Sequence, residues 1–244
     1  TFSSTEGSFG DLWDDGHDAD REVLFRAYAN HVYGFEHPTL TEDPLANACA
    51  LADALPTGAR LHVVSHSRGG LIGELLCRGF LPAGKEPFTK EDRVLLDEWD
   101  DQKVRMEKLN QLLRKKNIHV ERFVRVACPA RGTTLASERI DRWLSVVVNL
   151  LGKIPAFKAS GVYDVLTEFL LAVVKEHTDP KTFPGLAAMM PDAPCVALLN
   201  RSDVTTEGDL RVIAGDIEGA GLWGRLKLLF TDWFYGGEHD LVVN

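Results

Sequence analysis

The stretch RLHVVSHSRGGLIGELLCR, residues 60–78, decides the fold. Its first six residues form a short β-favouring run, Arg60–Ser65, and its last eight, Leu71–Arg78, have the apolar spacing of a helix. Between them stands Ser65-His66-Ser67-Arg68-Gly69-Gly70, of the form small-x-Ser-x-Gly. A strand that turns at once into a helix forces strained backbone geometry on the middle residue. Small residues two before and two after it keep the turn free of clashes. Ser67 is therefore expected to hold its hydroxyl above the end of a sheet as a nucleophile. The backbone N–H of Arg68, at the helix start, is expected to face a developing oxyanion.

Upstream, Pro44–Leu55 carries apolar residues at Leu45, Ala48, Cys49, Ala52 and Leu55, a helical spacing ended by Pro56-Thr57-Gly58. Helix, strand, abrupt turn and helix in succession imply α/β layering and a parallel sheet. Asp20–Tyr28 reads as a short amphipathic stretch and His31–Phe35 as a strand. Downstream, Lys85–Lys116 holds nine basic and eight acidic residues, with Leu95, Trp99, Met106, Leu109 and Leu113 at helical spacing. It reads as one long surface helix with an i,i+4 pair between Asp101 and Arg105. Val120–Ala127 and Asp209–Gly215 read as further strands. Two apolar helical segments within 138–177, joined through Pro155 and Gly161, read as a helical cap or as two core-facing helices. The cap is bounded at about residues 138–180.

Composition narrows the function. The chain has 244 residues, with 27 Lys and Arg against 36 Asp and Glu, a formal charge of -9. An acidic chain is a poor nonspecific nucleic-acid binder, and no nucleic-acid partner is expected. The apolar stretches Trp143–Leu151 and Val165–Val174 fall short of the roughly 20 residues a membrane span needs. TFSSTEGSFGDLWDD, at the start, has neither the basic region nor the apolar run of a signal peptide. Cys49, Cys77, Cys128 and Cys195 form no C-x-x-C and read as buried thiols of a reducing compartment, hence a cytoplasmic expectation. The acidic cluster Asp14, Asp15, His17, Asp18 and Asp20 matches no calcium loop and reads as a solvated loop. No metal and no cofactor are expected.

A serine nucleophile needs a base. His66 adjoins Ser67 and points away from it. Of His17, His31, His37, His62, His119, His177 and His239, only His239 lies downstream of the last strands. Two acids compete to orient a base: Asp216, which follows the RVIAG run, and Asp240, in GEHDLVV.

These segments resemble the α/β-hydrolases, specifically their lipase-like or esterase-like branch. SHSRGG is similar to the nucleophile elbow. Cys128-Pro129-Ala130-Arg131-Gly132-Thr133 with Leu135-Ala136 resembles the lipase segment after the next strand, with Ala130 where His often stands. His239-Asp240-Leu241-Val242-Val243 resembles the segment that supplies the triad acid. The resemblance thus implies Asp240 as the acid. Thr1-Phe2-Ser3-Ser4 resembles the stretch after the His-Gly of the first oxyanion loop, which implies Thr1 or Phe2 as the second oxyanion N–H. The chain is also similar to a poorly characterised bacterial branch whose members occur as domains of larger proteins.

The resemblance implies a single α/β-hydrolase domain over 1–244, with a mostly parallel central sheet, flanking helices and an inserted cap. In that family the catalytic histidine follows the acid. The expectation is therefore a domain incomplete at both ends, with flanking domains of the same polypeptide and a base outside 1–244. The other arrangement, Asp216 with His239, keeps the order Ser, Asp, His. The implied activity is cleavage of a carboxylic ester, acyl or lipid-like, through an acyl-enzyme. Two other functions stay open: a hydrolase-fold interaction domain that has lost catalysis, and a serine amidase or peptidase. Membrane contact is open as well.

Overall fold

A computed structural model describes residues 9–13, 15–39, 41–132 and 184–213. Over these, a 3-10 turn at Gly10–Trp13 and helix α1 (Asp18–Ala27) precede α2 (Pro44–Ala54). Strand β1 (Arg60–His66) leads into α3 (Gly69–Cys77), followed by α4 (Lys90–Leu95) and α5 (Asp100–Lys116). Strand β2 (His119–Val126), the short helices α6 (Pro184–Ala187) and α7 (Pro194–Leu199), and strand β3 (Asp209–Ile213) complete the order. The three strands form a parallel sheet in the order β1-β2-β3. The architecture is mixed α/β, a small parallel sheet with flanking helices, as the helix–strand alternation predicts.

Local chemistry explains the elements around the elbow. Asp43 caps α2 by accepting the Ala46 N–H at 2.8 Å, and Pro44 occupies the first turn, where its missing N–H costs nothing. Leu45, Ala48, Cys49 and Ala52 then line one buried stripe. Leu55, held extended by the proline after it, ends the helix. Along β1, Leu61, Val63 and Ser65 turn toward the helices, while Arg60, His62 and Val64 are exposed. Val63 stands beside Phe123 of β2 in the ladder, and Phe123 is 1% exposed. Helix α3 lies on β1 and β2 and packs against α2, which in turn packs against α5. The core joins Leu45, Leu75, Leu76, Met106, Leu109 and Phe123.

Two expectations change. Lys85–Lys116 is not one helix but two, α4 and α5, broken between Leu96 and Trp99. Leu96 is fully buried and leaves helical geometry, and the N–H groups of Leu96, Asp97 and Trp99 close tight turns instead. Asp92 fixes where α4 begins: its fully buried carboxylate accepts the Thr89 N–H at 2.7 Å in a capping box. Arg105 does not answer Asp101. It pairs with Asp43 at the α2 cap, because that half of the α5 surface faces α2. His31–Phe35 forms no strand among the described residues. Its β-favouring side chains find no ladder there, and Phe35 stacks on His37 instead.

The sequence-predicted cap, about 138–180, lies outside the described residues. All four cysteines are free, with Cys49, Cys77 and Cys195 buried and Cys128 half-buried. Burial pushes the Cys49 thiol up to about 11 and those of Cys77, Cys128 and Cys195 up to about 12. Such thiols stay protonated and unreactive at neutral pH.

Candidate functional site

The turn from β1 to α3 is built as its sequence predicts. Ser67 follows the last residue of β1 directly and sits in the left-handed region at φ 54°. A side chain there costs on the order of 1 kcal/mol, so the conformation is held by its surroundings. Behind Ser67, its own N–H donates to the Val126 carbonyl at 2.9 Å, which ties the turn to the end of β2. Ahead of it, the Gly70 N–H returns to the Ser67 carbonyl at 2.9 Å and starts the helix.

The glycines after Ser67 are there for space. A Cβ on Gly70 would lie 2.2 Å from Cys128 Sγ, and one on Gly73 would lie 2.3 Å from the Phe123 ring. A Cβ on Gly69 would stand 3.6 Å from that of Ser65, an ordinary contact only because Ser65 is small. Helix α3 thus lies close against β2, and its first turn points at the carboxyl ends of the strands. There its opening N–H groups have no intrahelical acceptor. The end of a parallel sheet where a helix begins is where such folds bind ligands.

Arg68 caps α3 and runs its side chain inward, 1% exposed. Its guanidinium donates to the Pro38 carbonyl at 3.4 Å and to the Glu42 carbonyl. Asn47 Nδ2 donates to the same Pro38 carbonyl at 3.1 Å. Burial lowers the Arg68 pKa to about 10, against the opposing pull of neighbouring groups including Asp43 and Glu42, so the side chain stays charged at neutral pH. Beside it, burial and then the Arg68 charge lower His37 to about 4. The His37 ring stacks on Phe35 at 5.6 Å, and its Nε2 is buried without a hydrogen-bond partner among the described residues. Arg125, next to Ser65 in the ladder, pairs with Glu74 of α3.

A family match covers residues 1–96 and 104–244. The chain belongs to DUF7379, a domain of unknown function. No curated protein matches it. The DUF7379 match spans every residue expected at the site, Thr1, Phe2, Ser67, Arg68, Asp216, His239 and Asp240.

Of these, Ser67 and Arg68 are placed at the β1–α3 turn. Thr1, Phe2, Asp216, His239 and Asp240 lie outside the described residues. His66 is half-buried beside Ser67. No group of three or more His, Cys, Asp or Glu among the described residues is arranged to hold a metal ion. In the acidic cluster the expected loop is partly helix: Asp18 and Asp20 lie in the first turn of α1, and His17 Nδ1 meets Asp20 at 3.0 Å on the surface. No described helix of this DUF7379 chain is long and apolar enough to cross a membrane.

A cavity of about 180 Å³ is lined by Cys77, Arg78, Phe123, Gly208 and Leu210. It sits at the amino ends of β2 and β3, the opposite end of the sheet from Ser67, and so takes no part in the candidate site. Sequence reasoning did not find the segment His37–Asn47 as a neighbour of the elbow. The Asp43-Pro44 pair announces a helix start, but nothing local announces that Arg68 reaches its carbonyls.

Proposed function

We propose that this chain is a serine hydrolase of the α/β-hydrolase type that cleaves a carboxylic ester through an acyl-enzyme. One observation carries the reading: Ser67 at φ 54° between a parallel strand and a helix, with Gly70 and Gly73 behind it where a side chain would collide. An ordinary strand-to-helix connection has no need of a strained serine at its tip, whereas a nucleophile must be lifted clear of the sheet.

In this mechanism Ser67 Oγ attacks the ester carbonyl and gives its proton to a histidine oriented by a carboxylate. Asp240 is the proposed carboxylate, and Asp216 with His239 is the other arrangement. The carbonyl oxygen becomes an oxyanion that accepts from the Arg68 N–H and from the N–H of Thr1 or Phe2. The alcohol departs with the proton, leaving Ser67 acylated. Water, deprotonated by the same histidine, then attacks the acyl carbon and releases the acid and free Ser67. A substrate with an acyl chain suits the apolar segments of 138–177.

The test is turnover of a p-nitrophenyl ester series, from acetate to palmitate, by the full-length gene product and by Ser67→Ala. The reading predicts hydrolysis that falls at least 10³-fold in Ser67→Ala, with an unchanged circular dichroism spectrum. Equal turnover by the two proteins overturns it. Cleavage of amide but not ester substrates would move the reading to the amidase class.

A further inference from the structure

We propose that Arg68 is a positioning residue of the hydrolase: its buried guanidinium clamps segment 38–42 against the elbow and thereby aims its own backbone N–H at the oxyanion. The proposal rests on the serine-hydrolase reading and adds to it a role for a side chain that touches no substrate.

Three observations support it. The first is cost. A guanidinium that is 1% exposed has been taken out of water, and among the described residues its two bonded acceptors are main-chain carbonyls, those of Pro38 and Glu42. The two nearby carboxyl-bearing residues do not neutralise it by direct contact. The Asp43 carboxylate is engaged by the Ala46 N–H and by Arg105, and Glu42 meets Arg68 through its carbonyl. A packing role alone would be served by Leu or Met without that cost.

The second is position. Arg68 immediately follows the strained Ser67 and caps α3, so the direction of its N–H is set by the φ and ψ of the elbow itself. The side chain leaves the same Cα and is fastened at its far end, so rotation of the residue strains its χ angles or its bonds to Pro38 and Glu42. An oxyanion donor is effective only when it is aimed before the charge develops.

The third is the anchor. The two carbonyls have anchors independent of Arg68. Asn47 donates to the Pro38 carbonyl at 3.1 Å, and Asp43 at the end of the segment is fixed by the α2 cap and by Arg105. A planar fork with several donors can hold two carbonyls at once, whereas a lysine ammonium on a flexible stem holds them with less directional constraint.

The experiment compares the full-length protein with Arg68→Met, Arg68→Lys and Arg93→Ala. Rates on p-nitrophenyl butyrate are expressed per site that a fluorophosphonate labels to completion. The count removes unfolded protein from the comparison. Arg68→Met should lower kcat about 10²-fold per labelled site, with KM changed less than about threefold, because the lost interaction acts on the transition state. Arg68→Lys should recover part of that loss. Arg93→Ala, which breaks the Arg93–Glu107 pair between α4 and α5 away from the elbow, should lower the melting temperature and leave kcat unchanged.

An unchanged per-site kcat in Arg68→Met overturns the proposal and leaves the serine reading standing. So does an equal kcat loss in Arg93→Ala, which would make the effect one of general stability. Should Arg68→Met not fold, Arg68→Lys decides: full kcat per site contradicts the clamp, and a reduced kcat at constant KM supports it. A parent protein that neither labels nor hydrolyses overturns the serine reading and this proposal with it.

Discussion

Ser67 holds a conformation that a side chain resists, and that strain is measurable. Replacing it with glycine removes the steric cost of φ 54°, while alanine keeps it. Urea unfolding should find Ser67→Gly more stable than Ser67→Ala by about 1 kcal/mol. Equal stabilities would mean that the turn relaxes in solution. His37 gives a second residue-scale prediction. Its folded pKa, about 4, lies below the ordinary 6.5 because burial and the Arg68 charge disfavour the imidazolium. Between those values the unfolded chain binds the extra proton, so stability should fall as pH drops from about 6.5 to about 4. The loss on this account is at most about 3 kcal/mol, lessened by the partial exposure of the ring. His37→Gln should flatten that window in urea midpoints measured across it. Ser67 was legible from the run of β-formers, the serine and the glycines behind it. His37 and the partners of Arg68 were not, because 26 and 30 residues separate Arg68 from the carbonyls it holds.

Helix α3 can approach β2 only because two of its residues lack side chains. Gly73→Ala would drive a Cβ into the Phe123 ring and Gly70→Ala would drive one into Cys128, each costing about 1–3 kcal/mol. Trimming the ring should return part of the first cost. A double-mutant cycle of Gly73→Ala with Phe123→Leu should therefore show a coupling above about 0.5 kcal/mol, and additivity would contradict the packing. The elements near the elbow were legible because capping and periodicity agree there. Asp43-Pro44 opens α2, Pro56 closes it, and β1 alternates. The break between α4 and α5 was hidden because Leu95, Trp99 and Met106 keep helical spacing across it. At the break Leu96 is fully buried and leaves helical geometry, a tertiary effect that periodicity does not carry.

Over the whole molecule, one buried ionic network ties distant segments together. The Asp92 carboxylate, fully buried, lies 2.7 Å from Arg201 and 3.6 Å from Arg78. Arg78 also donates to the Leu198 carbonyl at 2.8 Å, so the end of α3, the start of α4 and the chain leading to β3 meet at one point. Asp92→Ala would leave buried Arg78 without a carboxylate in contact among the described residues, while Arg201 keeps Asp203, a loss of about 3 kcal/mol. Thermal unfolding should show it as a fall in melting temperature with no change in ester turnover, since the network lies away from Ser67. The layering of this core was legible in the order of helices and strands. The network was not, because Arg78, Asp92 and Arg201 look like surface charges in a chain where charged residues are 26% of the total.

The central claim is that Ser67 is an activated nucleophile. The direct measurement is the site of covalent labelling by a fluorophosphonate, found by peptide mass mapping of the full-length protein and of Ser67→Ala. The account predicts one phosphonyl group per chain, on the peptide that contains Ser67, and none on folded Ser67→Ala. A folded parent protein that takes up no label, or takes it up equally without Ser67, would contradict it.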